Sequence, residues 1–216
     1  YMMALSINKE VINSKRRQVV IRNIVEIADK FSKDNKIEMH YSGLPYIRAS
    51  VMTMIKSEMR LFLILSFALT AVILMIFFRS FMAVLTSMVM VAIGVVWTMG
   101  TIVLLGYEIT MLTGLLPSLI VVIGIPNCIY FLNKYHSEYQ KNPNKTKALL
   151  RMVDSMGIVT LFTNMTAAIG FGVFAFTQSN LLRTFGIVAA IDIVALFVIS
   201  IIFIPALYSF LPPPKG

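Results

Sequence analysis

Charge is what this sequence has least of. Only 13% of its 216 residues are Asp, Glu, Lys or Arg, against about 25% in an ordinary soluble domain. The stretches 61–78, 81–107, 109–133 and 157–182 carry no charge, and 184–214 carries one, Asp192. A soluble helix of that length needs a polar face, and none of these stretches has one. A water-soluble helical core is therefore excluded. Cysteine occurs once, as Cys128, so an internal disulfide is excluded and the redox compartment is not indicated. His40 and His136 stand alone without metal-ligand spacing, so no metal or other cofactor is expected. There is no Gly-rich phosphate loop, nucleophile elbow or pair of soluble carboxylates, which leaves a hydrolase or kinase without chemistry; the chain is not expected to be an enzyme. No signal-peptide pattern opens it. It starts at Tyr1 rather than Met and is expected to be a piece of a longer protein.

What is present is apolar: 58% of residues are hydrophobic and the mean hydropathy is +0.82. A spanning helix needs about 20 mostly apolar residues. Five spans are predicted, near 59–78, 81–106, 110–135, 157–177 and 184–210. The net charge of +9 acquires meaning from its placement. Lys134, Lys141, Lys145, Lys147 and Arg151 share one loop region, Arg79 and Lys215 fall on the same side, and the opposite turns hold only Glu108 and Arg183. Basic short loops stay cytoplasmic. This predicts an extracytoplasmic N-terminal piece and a cytoplasmic C-terminus, with the basic patch in contact with anionic lipid headgroups. Nothing interleaves aromatics with the basic residues, so nucleic acid is not expected as a partner.

The first 45 residues read as a small soluble piece. Residues 1–8 look like a strand, 15–34 like a helix with Val20, Ile24, Ile27 and Phe31 on its apolar face. Residues 37–43 alternate like a half-buried strand. Such a β-α-β unit is too small to bury a core alone and predicts a larger extracytoplasmic domain. The rest, 46–214, is the membrane block. Lys56, Glu58 and Arg60 mark the entry to the first span, either as part of a coupling helix or as plain interfacial anchors. Near 144–156, Leu149, Met152, Val153 and Met156 share one face away from Lys145, Lys147 and Arg151. That pattern predicts an amphipathic cytoplasmic helix lying in the interface.

Polar groups inside the spans are the candidates for function. Unsatisfied backbone groups are costly in hydrocarbon, so a break at Gly124 and Pro126 should face the bundle interior. Asn127 lies beside it, roughly 12 Å above the cytoplasmic end by helical rise. Thr160, Thr163, Asn164 and Ala167 share a face of the fourth span, with Asn164 roughly 10 Å above the same side. The two asparagines can meet, as interhelical glue or as part of a transport path. Asp192, roughly 12 Å inside the outer boundary, costs about 2.5–3.5 kcal/mol on insertion scales. No other span offers a basic partner, so it is either protonated or hydrated: a group on a proton path, or a neutral Asp bonded to a neighbouring helix. Gly186, Ala189, Ala190 and Ile193, and likewise Gly170 and Gly172, would allow close helix approach.

YSGLPYIR before the first span, FFRS at 77–80, LTGLLPSLIVVIGIPNCIYFLNKYHSEY, TNMTAAIGFGVFAFTQS and LLRTFGIVAAIDIVALF together resemble the resistance-nodulation-division (RND) superfamily, and within it the MMPL-type, hydrophobe/amphiphile-efflux-like exporters. Their bundle is similar to a sterol-sensing domain. The resemblance covers nearly the whole chain and implies an all-α polytopic bundle of RND helices two to six from a first half, preceded by the last β-α-β part of a periplasmic porter domain. It implies proton-driven export of lipid or another hydrophobic molecule across a bacterial inner membrane, with a missing second half as partner and a homo-oligomer possible. Relatives usually carry an Asp followed by Tyr in the fourth helix; those positions here are Asn127 and Cys128. Asn127 does not titrate. Either the second half carries the relay with Asp192 contributing, or the protein is a non-pumping lipid-binding or sensing pseudo-permease. An accessory subunit of protein translocation is a further implication of the superfamily.

Overall fold

The computed structural model describes residue 5 and residues 17–78 and 80–211. Among the described residues six helices follow in order: α1 (Arg17–Asn35), α2 (Leu44–Phe78), α3 (Phe81–Leu104), α4 (Leu116–Lys141), α5 (Lys145–Gly172) and α6 (Asn180–Phe210). Short 3-10 turns at Thr113–Leu115 and Val173–Phe176 precede α4 and follow α5. Among the described residues five helices, α2 to α6, are long and apolar enough to cross a bilayer. The chain divides into two compact units, Tyr1–Ser57 and Glu58–Gly216.

In the first unit the expected β-α-β arrangement is corrected. Among the described residues there is no strand. The helix forms as Arg17–Asn35, but residues 37–42 take no regular secondary structure. The first expected strand, 1–8, lies outside the described residues apart from Leu5. Alternation alone does not make a strand, because a strand needs a neighbouring edge to satisfy its backbone. Here Ile37 N–H donates to Ser32 O at 3.1 Å, closing the end of α1. Ser32 Oγ donates to Ile37 O at 2.5 Å and Tyr41 Oη to Asp29 Oδ1 at 2.5 Å. The apolar face of α1 is also shifted from its expected line: Ile21 is buried, whereas Ile27 and Phe31 are exposed.

The second unit is an antiparallel helical bundle. The turn after α3 closes with Tyr107 N–H on Ile102 O at 3.1 Å and Gly106 N–H on Val103 O at 3.1 Å. Gly106 takes φ +69, a left-handed value that glycine adopts without steric cost. The stretch expected as a separate interfacial helix near 144–156 is the first part of α5, which runs unbroken to Gly172. Asn144 caps it, accepting from Lys147 N–H at 3.1 Å. At the same end, Lys145 Nζ donates to Ser209 O at 2.6 Å and Leu211 O at 2.7 Å. That contact ties the start of α5 to the end of α6. We call this the basic end, and the end bearing the 105–115 turn the far end.

Two separate apolar clusters fill the bundle. The larger joins Met90, Val91, Ile120, Phe131, Tyr135, Met152 and Leu196 from α3 to α6. The smaller, toward the far end, joins Ile102, Leu116, Val188 and Ala189.

Candidate functional site

The helix break expected at Gly124 and Pro126 does not interrupt α4, which is continuous through Pro126. Proline removes the N–H that would bond the carbonyl four residues back, here that of Val122, while the flanking turns hold the helix. Gly124 has a different use. A Cβ there would lie 2.9 Å from Val91 Cγ2 and 3.9 Å from Leu196. It lets α4 approach α3 and α6. Gly94 of α3 does the same, since its Cβ would meet Leu196 Cδ1 at 2.9 Å and Ile120 Cγ2 at 3.2 Å. Leu196 thus fills the space left by two glycines on two other helices.

One turn toward the basic end, Asn127 and Asn164 form a reciprocal amide pair. Asn127 Nδ2 donates to Asn164 Oδ1 at 3.3 Å, and Asn164 Nδ2 donates to Asn127 Oδ1 at 3.0 Å. Asn164 Nδ2 also donates to Thr160 O at 2.7 Å. Both asparagines are 2% exposed. Thr160 is buried beside them, with its hydroxyl donating to Met156 O at 2.7 Å. Thr163, expected on the same face, is exposed and bonds only its own helix, at Thr160 O (3.1 Å) and Val159 O (3.2 Å). The difference is angular: Thr160 and Asn164 are one helical repeat apart, whereas Thr163 precedes Asn164 by one residue and so points about 100° away.

Asp192 does not join the asparagines. It is 2% exposed, and neither carboxylate oxygen has a hydrogen-bond partner among the described residues. Thr98 and Thr101 of α3 face it. Their protons are engaged elsewhere: Thr98 Oγ1 donates to Gly94 O at 3.0 Å and Thr101 Oγ1 to Trp97 O at 3.1 Å. With those protons committed, neither hydroxyl donates to the carboxylate. Asp192 lies four residues toward the far end from Leu196, and Asn127 three residues toward the basic end from Gly124. By helical rise, about 10 Å of apolar packing separates the two polar sites. Sequence reading passed over Thr98, Thr101 and Leu196. The first two carry a signal, a pair of hydroxyls at i and i+3 on one span; a leucine in an apolar run carries none.

Cys128 is fully buried, with Sγ 4.0 Å from Met90 Sδ. Trp97 lies on the outside of α3, where Val96, Gly100, Thr101, Leu104 and Ile191 help to line an open groove of about 680 Å³. Gly186 and Ala189 are buried as the tight face of α6 requires, whereas a Cβ at Gly170 would meet nothing within 4 Å.

At the basic end, Glu138 gathers three cations. Lys134 Nζ is 3.1 Å from Oε1, Lys141 Nζ 3.4 Å from Oε1 and Arg151 Nη1 3.4 Å from Oε2. Tyr135 and Tyr208 meet edge to face just inside, with ring centroids 5.2 Å apart. Among the described residues no group of three His, Cys, Asp or Glu side chains is placed to hold a metal ion.

Residues 4–213 match the MMPL family. Over 171 residues, 79% of this chain, the sequence is 26% identical to a membrane protein of Methanocaldococcus jannaschii. The match covers 44% of that protein's length, so the chain spans less than half of the curated relative it matches.

Proposed function

The chain belongs to the MMPL family, and from that premise we propose that it is part of an RND-type membrane transporter exporting lipid or another hydrophobic or amphiphilic substrate, driven by protons through Asp192. The observation that carries this reading is the state of that carboxylate. It lies inside a spanning helix, 2% exposed and without a hydrogen-bond partner among the described residues. Burial of an unpaired charge at that depth costs about 2.5–3.5 kcal/mol on insertion scales. A proton removes the cost and supplies a donor to Thr98 or Thr101. Binding and release of that proton would give α6 two states with different bonds to α3. In this reading the basic end is cytoplasmic, and the N-terminal unit is extracytoplasmic and joins a larger porter domain. The membrane is a bacterial inner membrane.

The test is Asp192→Asn in the intact protein reconstituted with an imposed proton gradient. Export should be abolished while expression and folding persist. Export at the wild-type rate in that variant would end the proton role.

One observation favours a second reading, a pseudo-permease that binds lipid without pumping. The Asn127–Asn164 pair bonds reciprocally and has no titratable group. If that reading is correct, lipid binding is insensitive to the gradient and to Asp192→Asn alike.

A further inference from the structure

We propose that the α4–α5 seam at the basic end is a binding site for an anionic phospholipid, its phosphate held by Lys141 and Arg151 and its acyl chain lying along the exposed face of α5. The proposal is independent of the transport reading.

The first support is charge. Three cations converge on Glu138, and one carboxylate neutralises one of them. The Glu138 side chain is 7% exposed, whereas those of Lys141 and Arg151 are 65% and 57% exposed. The buried anion therefore anchors the cations from below and leaves their excess positive charge at the surface. Arg151 gives one long contact through Nη1, so most of the five N–H donors of its guanidinium stay available for phosphate oxygens. Asp154, one turn on and also exposed, offsets part of the local charge without cancelling it.

The second support is depth. A 26-residue α4 is about 39 Å long, against about 30 Å for the hydrocarbon core of a bilayer. Its last turns therefore stand in the headgroup layer. The third is the surface beneath. From Arg151 the same face of α5 continues through Ile158, Phe162 and Ile169, at seven, eleven and eighteen residues, and all three are exposed. A cationic head position above an apolar track matches an anionic lipid and matches neither a soluble phosphate, which has no tail, nor an acidic peptide, whose backbone the track leaves unsatisfied.

The experiment uses the whole chain in lipid nanodiscs, comparing phosphatidylcholine with phosphatidylglycerol. Thermal unfolding gives the stability, and native mass spectrometry counts the retained lipids. Phosphatidylglycerol should raise the unfolding temperature and persist as a bound lipid. Lys141→Gln/Arg151→Gln should weaken its retention about thirtyfold, the loss of two cation contacts at a charged membrane surface. Lys30→Gln, an exposed cation of α1 outside the basic patch, should leave retention unchanged. Soluble glycerophosphate at matched phosphate concentration should give no rise. Equal behaviour in the two lipids, full retention by the double variant, or the same rise with glycerophosphate each overturns the proposal. Phe162→Ser separates tail from head: retention should fall with the cation cluster intact, and unchanged retention removes the apolar track from the site.

Discussion

A methyl group at Gly186 would lie 2.5 Å from the carbonyl oxygen of Phe171, so the start of α6 touches the backbone at the end of α5 with no room for a side chain. The same methyl would lie 2.5 Å from Phe174 Cβ. Backbone does not yield as a flexible side chain does. Gly186→Ala should therefore destabilise the bundle by about 1–3 kcal/mol through overpacking. Gly170→Ala is the matched control, because nothing lies within 4 Å of its Cβ; helix propensity should make it neutral or stabilising by up to about 1 kcal/mol. Thermal unfolding of both variants in detergent, followed by circular dichroism, checks the pair. Equal effects would show that α5 and α6 do not meet there.

The asparagine pair predicts an asymmetry. Removing either partner leaves a buried amide unsatisfied, at about 1–3 kcal/mol. Asn164→Ala should cost more than Asn127→Ala, because Asn164 also donates to Thr160 O at 2.7 Å. The coupling energy from the double-mutant cycle should fall in the range of about 0.6–2 kcal/mol seen for interhelical bonds in membranes. Additive single effects would mean that the amides do not touch.

Lys145 caps the carbonyls at the end of α6, at Ser209 and Leu211. A cation there satisfies orphan acceptors and complements the helix dipole. Lys145→Met should fray that terminus at a cost of about 1–2 kcal/mol. Hydrogen exchange should quicken over the last turn of α6 and stay unchanged around Asp192. Protection at 207–211 equal to wild type would dismiss the cap.

In the N-terminal unit, Tyr41 donates to the Asp29 carboxylate, and that bond, before any burial, pushes its phenol up to about 12. The sign follows: the phenol is raised above its unfolded value near 10, so the contact contributes fully below pH 10 and is lost as pH climbs through about 12. Ultraviolet titration of wild type against Tyr41→Phe should show this tyrosine ionising at about 12, and Asp29→Asn should return it to the ordinary range. A Tyr41 that ionises near 10 in the wild-type protein would mean the bond is absent in solution.

How much was legible beforehand differs by kind of signal. The spans were readable because transfer into hydrocarbon depends on composition, and the runs between charges are long. The asparagine pair was readable because both amides fall at one depth on neighbouring spans. Thr163 was misplaced because a shared-face argument tolerates a spread that real packing does not. The 37–43 strand was misread because alternation records a preference for two faces and cannot supply the neighbouring edge that a strand requires.

That this chain lives in a bilayer, and which ionisable group it carries inside, follows from residue order alone, because burial of charge in hydrocarbon is so costly that one Asp in five spans stands out. What surrounds that group depends on how the helices pack. Two glycines on α3 and α4 admit Leu196 between them, and that contact separates Asp192 from the asparagines. Which side chains meet depends on helix rotation and close approach to within an ångström, and no single stretch of sequence contains either.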